Sequence, residues 1–523
     1  MLGKDAILHF FEKKGIKNLF HLPGIHTLPF NEAITKNPRI LSIRGRHEST
    51  LASMADGYAR ATGEAGILIV TPGPGLGNVV SGCMEAFSDD VPLLIIHIDT
   101  GRKDIGKGIL HELVEPEAIF RHITKKTFCV SIADELIPLL DDAFCLAMAE
   151  RRGPVMISIP YTLFEKEVPF TLPARPERQE RLDLDEIEHV LAGKKHPVII
   201  GGKGLMREEL RPLLESLCVD RSIPFLTTTA GKGVLSEYGP CAFGNIMQRG
   251  TARRILDSAD VVIALGTRLR DVDAKRRGIK IKDLIHIDTN GAWMGKNYAG
   301  ACVVSGDLNA ALVELHEVLG RARFNWDLEG LKRQQEEERS SLERDFMGFH
   351  IMKAVREAIP LETVTVWDLS LLGYWAEYYF PVEFQRTFIM PRGISPIFYA
   401  LPAGIGARVG RPDTPCLAIC GDGSFLPSSA ELAVIREYNI PLVTIVYNNR
   451  SYGILEDYME SSYGIKGSMG LTNPDFVKLA GSFGIEAKRV TDPDRLKDTL
   501  CRLRWDEPCL IEFDFPIFPS PWK

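Results

Sequence analysis

Short apolar runs alternate along the chain with longer amphipathic stretches, and Gly or Pro marks most of the boundaries. Runs this short, bounded by turn residues, read as strands covered by helices on both faces of a parallel sheet. They fall in three blocks. The first holds Ile67–Val70 and Leu93–Ile96. The second runs through Val198–Ile200, Phe225–Thr227, Val261–Leu265, Leu284–Ile287 and Cys302–Val304. The third holds Val364–Val366, Leu417–Cys420 and Val443–Val446. The pattern predicts an α/β chain of three doubly wound parallel-sheet domains, expected at residues 1–168, 186–325 and 345–523. Two polar stretches are expected to join them. Pro169–Asp185 carries Pro173, Pro176 and a run of charges, and Trp326–Arg344 reads as a solvated helix or linker.

The outer blocks share a spacing. Strands at 67 and 93 are offset by 26 residues, as are strands at 417 and 443. In each pair a Gly-rich turn follows the first strand and a Pro, Pro92 or Pro441, opens the second. This predicts two copies of one unit.

Composition narrows the picture. With 523 residues the chain has room for three to four domains at ~150 residues each. The 62 basic and 69 acidic residues give a net charge of −7. That mild acidity argues against nucleic acid and anionic membrane as partners. Ten cysteines are scattered with no C-x-x-C pair, which fits a reducing compartment and not a zinc site. The N-terminus has no signal-peptide core and the apolar runs fall far short of the ~20 residues that span a bilayer. A cytoplasmic protein is expected.

The segment richest in chemistry is Gly421-Asp422-Gly423-Ser424, directly after one strand, with Asn448-Asn449 directly after the next. Ligands of open α/β sheets bind at such carboxyl ends. Asp422 offers a carboxylate, Asn449 an amide oxygen and Ser451 a main-chain carbonyl, a hard oxygen set suited to Mg²⁺ shared with a phosphate. Gly421 and Gly423 let the backbone approach that anion, and the helix opening around Ser424 points its amides toward it.

Here the chain resembles the thiamine-diphosphate-dependent enzymes, whose motif is G-D-G followed at a set interval by N-N. The stretch Arg46–Arg60 resembles the family's glutamate helix, with Glu48 in the cofactor-contacting place. Alone, Glu48 would be an ordinary first-turn acid. The turn Thr71-Pro72-Gly73-Pro74-Gly75-Leu76-Gly77-Asn78 is similar to the family's Gly-rich turn, which puts Thr71 and Asn78 beside the cofactor. By the same resemblance Ile397 props the bent cofactor, and Asp368 and Ser370 lie at its diphosphate.

The resemblance covers nearly the whole chain, in the order pyrimidine, central and diphosphate domain. It implies thiamine diphosphate and Mg²⁺ as cofactors, with Glu48 driving cofactor ionisation. It also implies a homo-oligomer, a dimer or a tetramer, with each site shared between subunits. The implied activity is carbon–carbon bond cleavage or formation. Substrates would be a 2-oxo acid, an aldehyde or a 2-hydroxy ketone, giving decarboxylation, carboligation or both.

His26 matches a histidine of benzaldehyde lyase. His111 falls where that enzyme and acetolactate synthase carry glutamine. Both suit proton relay. Ile25 and Thr71 depart from pyruvate decarboxylase and benzoylformate decarboxylase, which have Asp and His there. Phe243–Gly250 lacks the Gly-His-Gly loop of flavin-holding relatives, which argues against flavin, while Gly266-Thr267-Arg268 suits a nucleotide or an empty domain equally. The rival readings are a flavin-dependent oxidase of the pyruvate oxidase kind and a non-catalytic regulatory member. Trp375, Tyr378, Tyr379, Phe398 and Tyr399 line an aromatic pocket or fill the core.

Overall fold

The structure is a computed structural model that describes residues 1–101, 103, 105–173, 185–298, 302–320 and 324–522. Most of the expected linker Pro169–Asp185 therefore lies outside the described residues. Each apolar block forms its own six-stranded parallel sheet. The first contains β1 (Asn18–His21), β2 (Leu41–Arg44), β3 (Gly66–Val70), β4 (Leu93–Asp99), β5 (Thr127–Cys129) and β6 (Val155–Pro160), in the order β2-β1-β3-β4-β6-β5. The second contains β7 (Pro197–Gly201), β8 (Phe225–Thr227), β9 (Ala242–Asn245), β10 (Val261–Leu265), β11 (Leu284–Asp288) and β12 (Cys302–Ser305), in the order β12-β11-β10-β7-β8-β9. The third contains β13 (Val364–Trp367), β14 (Phe388–Ile389), β15 (Cys416–Gly421), β16 (Val443–Asn448), β17 (Glu486–Val490) and β18 (Cys509–Asp514), in the order β14-β13-β15-β16-β18-β17.

Counted within each sheet, the first and third have one strand order, 2-1-3-4-6-5, while the central sheet has the dinucleotide-binding order 3-2-1-4-5-6. Gly66 faces Leu93 across β3 and β4 as Leu417 faces Val443 across β15 and β16. The repeat seen in the spacing is thus a repeat of topology.

One helix pair joins the two copies. The helix Glu48–Thr62 is opened by His47, whose ring accepts the Ser49 N–H, and is closed by Gly63 in the left-handed region. It packs on the helix Ala400–Gly410. Gly57 lies against Ala403 and Gly406 against Met54, so the helices run antiparallel with their backbones nearly touching. Each helix starts at the carboxyl edge of its own sheet, the first after β2, the second where the Ala400 N–H donates to Asp368 just beyond β13. Antiparallel contact therefore sends the two carboxyl edges to opposite ends. Ala400 lies level with residue 60, and Glu48 is 12 residues further along, about 18 Å at 1.5 Å per residue.

A buried ionic network holds all three units. Arg60 bonds Asp56, Glu85 and Asp89 of the first unit, and Asp89 also meets Arg270 of the second. Arg270 pairs with Asp273, which meets Arg392 of the third, and Arg392 bonds Glu377. The stretch expected as a solvated helix or linker contains the helix Leu328–Asp345, which buries no residue but is tied to the central unit through Lys332 to the Ala242 carbonyl and Glu338 from the Thr251 N–H.

Candidate active site

At the carboxyl edge of the third sheet, β15 ends at Gly421 and a helix starts at Asp422. The Asp422 side chain is 2% exposed. Burial pushes its carboxyl up, against the Gly423 N–H, the Asn473 amide and the N–H groups of Arg450 and Ser451 that favour the ionised form. Those last two N–H groups lie just beyond Asn449, so the turn after β16 closes onto the carboxylate. Asn449 Oδ1 accepts the Ser451 N–H at 3.0 Å and keeps a second lone pair. The structure thus brings together Asp422, Asn449 and Ser451. A Cβ on Gly423 would meet the Tyr452 ring at 2.5 Å, and one on Gly453 would meet the Asn449 amide at 2.5 Å. The carboxylate, amide oxygen and carbonyl are the donor set that a hard divalent ion takes, and they fit Mg²⁺.

Ser424, in the first turn of that helix, accepts the Phe398 N–H at 2.9 Å. That bond draws the loop carrying Ile397 beside the Gly421–Ser424 turn. Ile397 is 49% exposed, so it is not a core residue, and Phe398 beside it has a φ of 66°. Asp368 and Ser370 belong to the same edge but have structural partners. The Ser370 hydroxyl caps its helix by accepting the Gly373 N–H. Asp368, 3% exposed, accepts the Ala400 N–H, and burial pushes its carboxyl up to about 6. Of the aromatic candidates, Trp375, Tyr378, Tyr379 and Tyr399 are buried in the core, and the Tyr399 hydroxyl bonds Asp56. Of these four, Tyr378 also reaches a cavity among the described residues, beside Arg249, Arg277 and Trp522.

At the opposite end, the carboxyl edge of the first sheet gathers Glu48, Thr71 and Asn78. Glu48 Oε2 accepts from Asn78 Nδ2 at 2.9 Å. A Cβ on Gly75 would overlap the Thr71 hydroxyl and lie 3.6 Å from Glu48 Oε1. Glu431 of the third unit fixes the start of this helix from behind. Its carboxylate accepts the Arg46 N–H at 3.0 Å and the Thr50 hydroxyl at 2.6 Å.

The two histidines meet here as well. His26 and His111 have ring centroids 5.6 Å apart, and Tyr161 lies 5.7 Å from His26. His111 has a φ of 64°, and its backbone presses on Gly73, where a Cβ would lie 3.2 Å from the His111 Cα. Burial lowers the basicity of His26 first, and His111 lowers it further. Gly24 of the His26 loop packs on Thr71, so both histidine-bearing loops lie against the Thr71–Asn78 turn. Asn473 and Glu431 escaped sequence reasoning, because each lies in an unremarked stretch far along the chain from the group it holds. In the central sheet, Gly202 after β7 packs on the Gly266 turn after β10, and Arg268 of that turn reaches the Ser88 carbonyl of the first unit.

Three family models match the chain in sequence. Residues 1–119 match the thiamine pyrophosphate enzyme N-terminal TPP binding domain, residues 184–315 the central domain, and residues 368–513 the C-terminal TPP binding domain. The chain is 31% identical to a probable acetolactate synthase large subunit of Methanococcus aeolicus, over 99% of this chain and 92% of that protein. It is 29% identical to an acetolactate synthase large subunit of Lactococcus lactis, over 98% and 92%. It is 30% identical to a probable 2-ketoarginine decarboxylase of Pseudomonas aeruginosa, over 95% and 90%.

Proposed function

The chain belongs to the thiamine pyrophosphate enzymes and makes or breaks carbon–carbon bonds with that cofactor, and from this premise we propose the finer assignment of its groups. Asp422, Asn449 and the Ser451 carbonyl hold Mg²⁺, while Gly421, Gly423 and Ser424 offer backbone to the diphosphate. Asp368 and Ser370 shape the floor beneath it, and Ile397 supports the cofactor from the side. When bound, the cofactor supplies an electron sink for the bond being made or broken at a carbonyl carbon. Glu48, oriented by Asn78 and flanked by Thr71, holds and returns a proton at the pyrimidine end. His26 and His111 exchange protons with a 2-oxo acid, aldehyde or 2-hydroxy ketone. The three units are taken as residues 1–168, 186–325 and 345–523.

The working form is a homo-oligomer, a dimer or a tetramer. Its support is the ~18 Å between half-sites within one chain and the apolar side chains left exposed around both. Ile25, Leu28, Leu110 and Val114 surround the first, and Ile394, Leu426, Tyr452 and Leu455 the second. Among the described residues no helix is long and apolar enough to cross a membrane. The net charge of −7 supports small molecules over nucleic acid or anionic membrane as partners, and the enzyme is taken as cytoplasmic.

The observation that carries the assignment is the closing of the Asn449–Ser451 turn onto Asp422. Calorimetric titration with thiamine diphosphate tests it. Binding is expected with Mg²⁺ and lost in a chelator or in Asp422→Ala; equal affinity in all three would overturn it.

A further inference from the structure

Four imidazoles lie at or near the carboxyl edge of the first sheet. His21 ends β1, His97 lies in β4, and His26 and His111 sit in the loops after those strands. The function above uses His26 and His111 and leaves His97 without a role. His97 is 0% exposed in a strand whose neighbours Ile96 and Ile98 are apolar. A buried imidazole with an unmade hydrogen bond costs stability that an apolar residue in its place would not.

The surroundings of His97 are polar in one direction only. Its Nδ1 lies 3.0 Å from Ser158 Oγ, on the residue that faces it in register on β6. Its Nε2 is buried and has no hydrogen-bond partner among the described residues, and the same holds for His26 Nδ1. The turn Ile25–Thr27, which carries His26, packs on β4. The two rings also feel each other: burial pushes His97 down to about 3, and His26 adds to that push. His97 is therefore neutral and owns one proton. If the Ser158 hydroxyl donates to Nδ1, that proton sits on Nε2, in the strand on which the His26 turn packs.

We propose that His97 is a positioning residue. Its Nε2–H, backed by Ser158, donates to His26 Nδ1 across one water, and so fixes His26 as the tautomer with its proton on Nε2. His26 then meets the substrate as a hydrogen-bond donor, suited to a carbonyl oxygen gaining charge as its carbon bonds. The line runs Ser158, His97, His26, substrate. It rests on the assignment of His26 to substrate chemistry.

Diethyl pyrocarbonate tests the tautomer, because it acylates a ring nitrogen only through a free lone pair. The probe is applied at pH 7 to the full chain, with and without thiamine diphosphate, and the His26 adduct is read by peptide mass spectrometry. With Nδ1 buried and Nε2 protonated, wild-type His26 reacts slowly. His97→Leu frees the tautomer and raises the rate about tenfold, the worth of one hydrogen bond. Ser158→Ala raises it less. His97→Gln keeps an N–H donor at similar reach and stays near wild type, which also guards against a leucine variant that fails to fold. Equal rates in all four proteins, or a slower rate in His97→Leu, overturn the proposal. In turnover assays with a panel of 2-oxo acids, His97→Leu lowers kcat with KM little changed. Should His26→Phe leave turnover unaltered while the reactivity contrast persists, the role of His26 in catalysis falls and the hydrogen bond stands.

Discussion

Substituting Gly406 by Ala strikes the contact that sets the two repeated units against each other. A Cβ at Gly406 would lie 2.7 Å from the Met54 carbonyl carbon, with the oxygen nearer still. Carbon–carbon contacts settle at about 3.5–4.0 Å, so the helices must part by about 1 Å. Met54 meets the methyl with main-chain atoms held in a helix, so no rotamer change relieves the clash. A gap of that size forfeits between about a quarter and a half of the dispersion attraction along the seam. We set the cost at about 3 kcal/mol, the upper end of ordinary overpacking. For a cooperative unit of 150–250 residues that is a fall of about 6–12 °C in Tm. Gly404 supplies the control, two residues earlier in the same helix. A Cβ there would meet Ala418 Cβ at 3.1 Å and the Leu442 methyls at 3.3 Å, overlaps of a few tenths of an ångström, and the leucine can rotate away. Neither glycine has a positive φ, so Gly404→Ala also gains part of the about 0.5–1 kcal/mol of helix preference. Thermal unfolding followed by circular dichroism reads both variants. Since Glu48 rides on the displaced helix, calorimetry should also show weaker thiamine diphosphate binding in Gly406→Ala alone. A Gly406→Ala melting point within about 2 °C of wild type, or a Gly404→Ala variant equally damaged, would refute the reasoning.

Two further outcomes concern buried charge. Burial raises the Asp368 carboxyl from 3.8 to about 6, so the folded state favours its acid form. That contribution is full below about pH 4 and is lost as pH rises through about 6, about 3 kcal/mol in all. Asp368→Asn should therefore flatten the fall in stability between pH 4.5 and 7.5 in urea melts, and a parallel profile counts against it. Asp89→Ala leaves the buried Arg60 guanidinium and the half-buried Arg270 without their shared partner, a loss of about 3 kcal/mol. Asp90→Ala removes a carboxylate that is 22% exposed against 4% for Asp89, and should melt well above it.

What the sequence made legible was whatever is encoded locally. Runs such as Ile67–Val70 and Val261–Leu265 became strands, and the turns after β3 and β15 lie at the carboxyl edges of their sheets. Eight of the described strands escaped notice, β1, β2, β5, β6, β9, β14, β17 and β18, and four of them show a physical reason. β17 reads Glu-Ala-Lys-Arg-Val, a polar edge strand, and β14 has two residues. β6 and β18 are buried, but Ser158 and Glu512 interrupt their apolar runs. Each of those polar residues is matched by a group remote in sequence, His97 for Ser158, and Asn448 and Arg489 for Glu512. Asp422, Asn449 and Glu48 were legible because a strand end fixes their surroundings within a few residues. Asn473 and Glu431 were not, because what they bond is decided by how whole units pack.

That packing has a consequence which mixing can test. The carboxyl edges of the two repeated units point to opposite ends of one chain. On the proposed assembly a single chain then carries half of each of two sites, and a two-fold partner would supply the missing half of both. Glu48→Gln spoils only the pyrimidine half of a chain, and Asp422→Ala only the diphosphate half. Each variant alone should be inactive. In a mixed dimer, one site pairs the intact Glu48 of one chain with the intact Asp422 of the other, and the second site carries both lesions. Random reassociation makes half of the dimers mixed, each with one working site of two, so about a quarter of wild-type turnover should return. Sites built within one chain would recover nothing on mixing, and that result would remove the shared-site arrangement while leaving the fold as described.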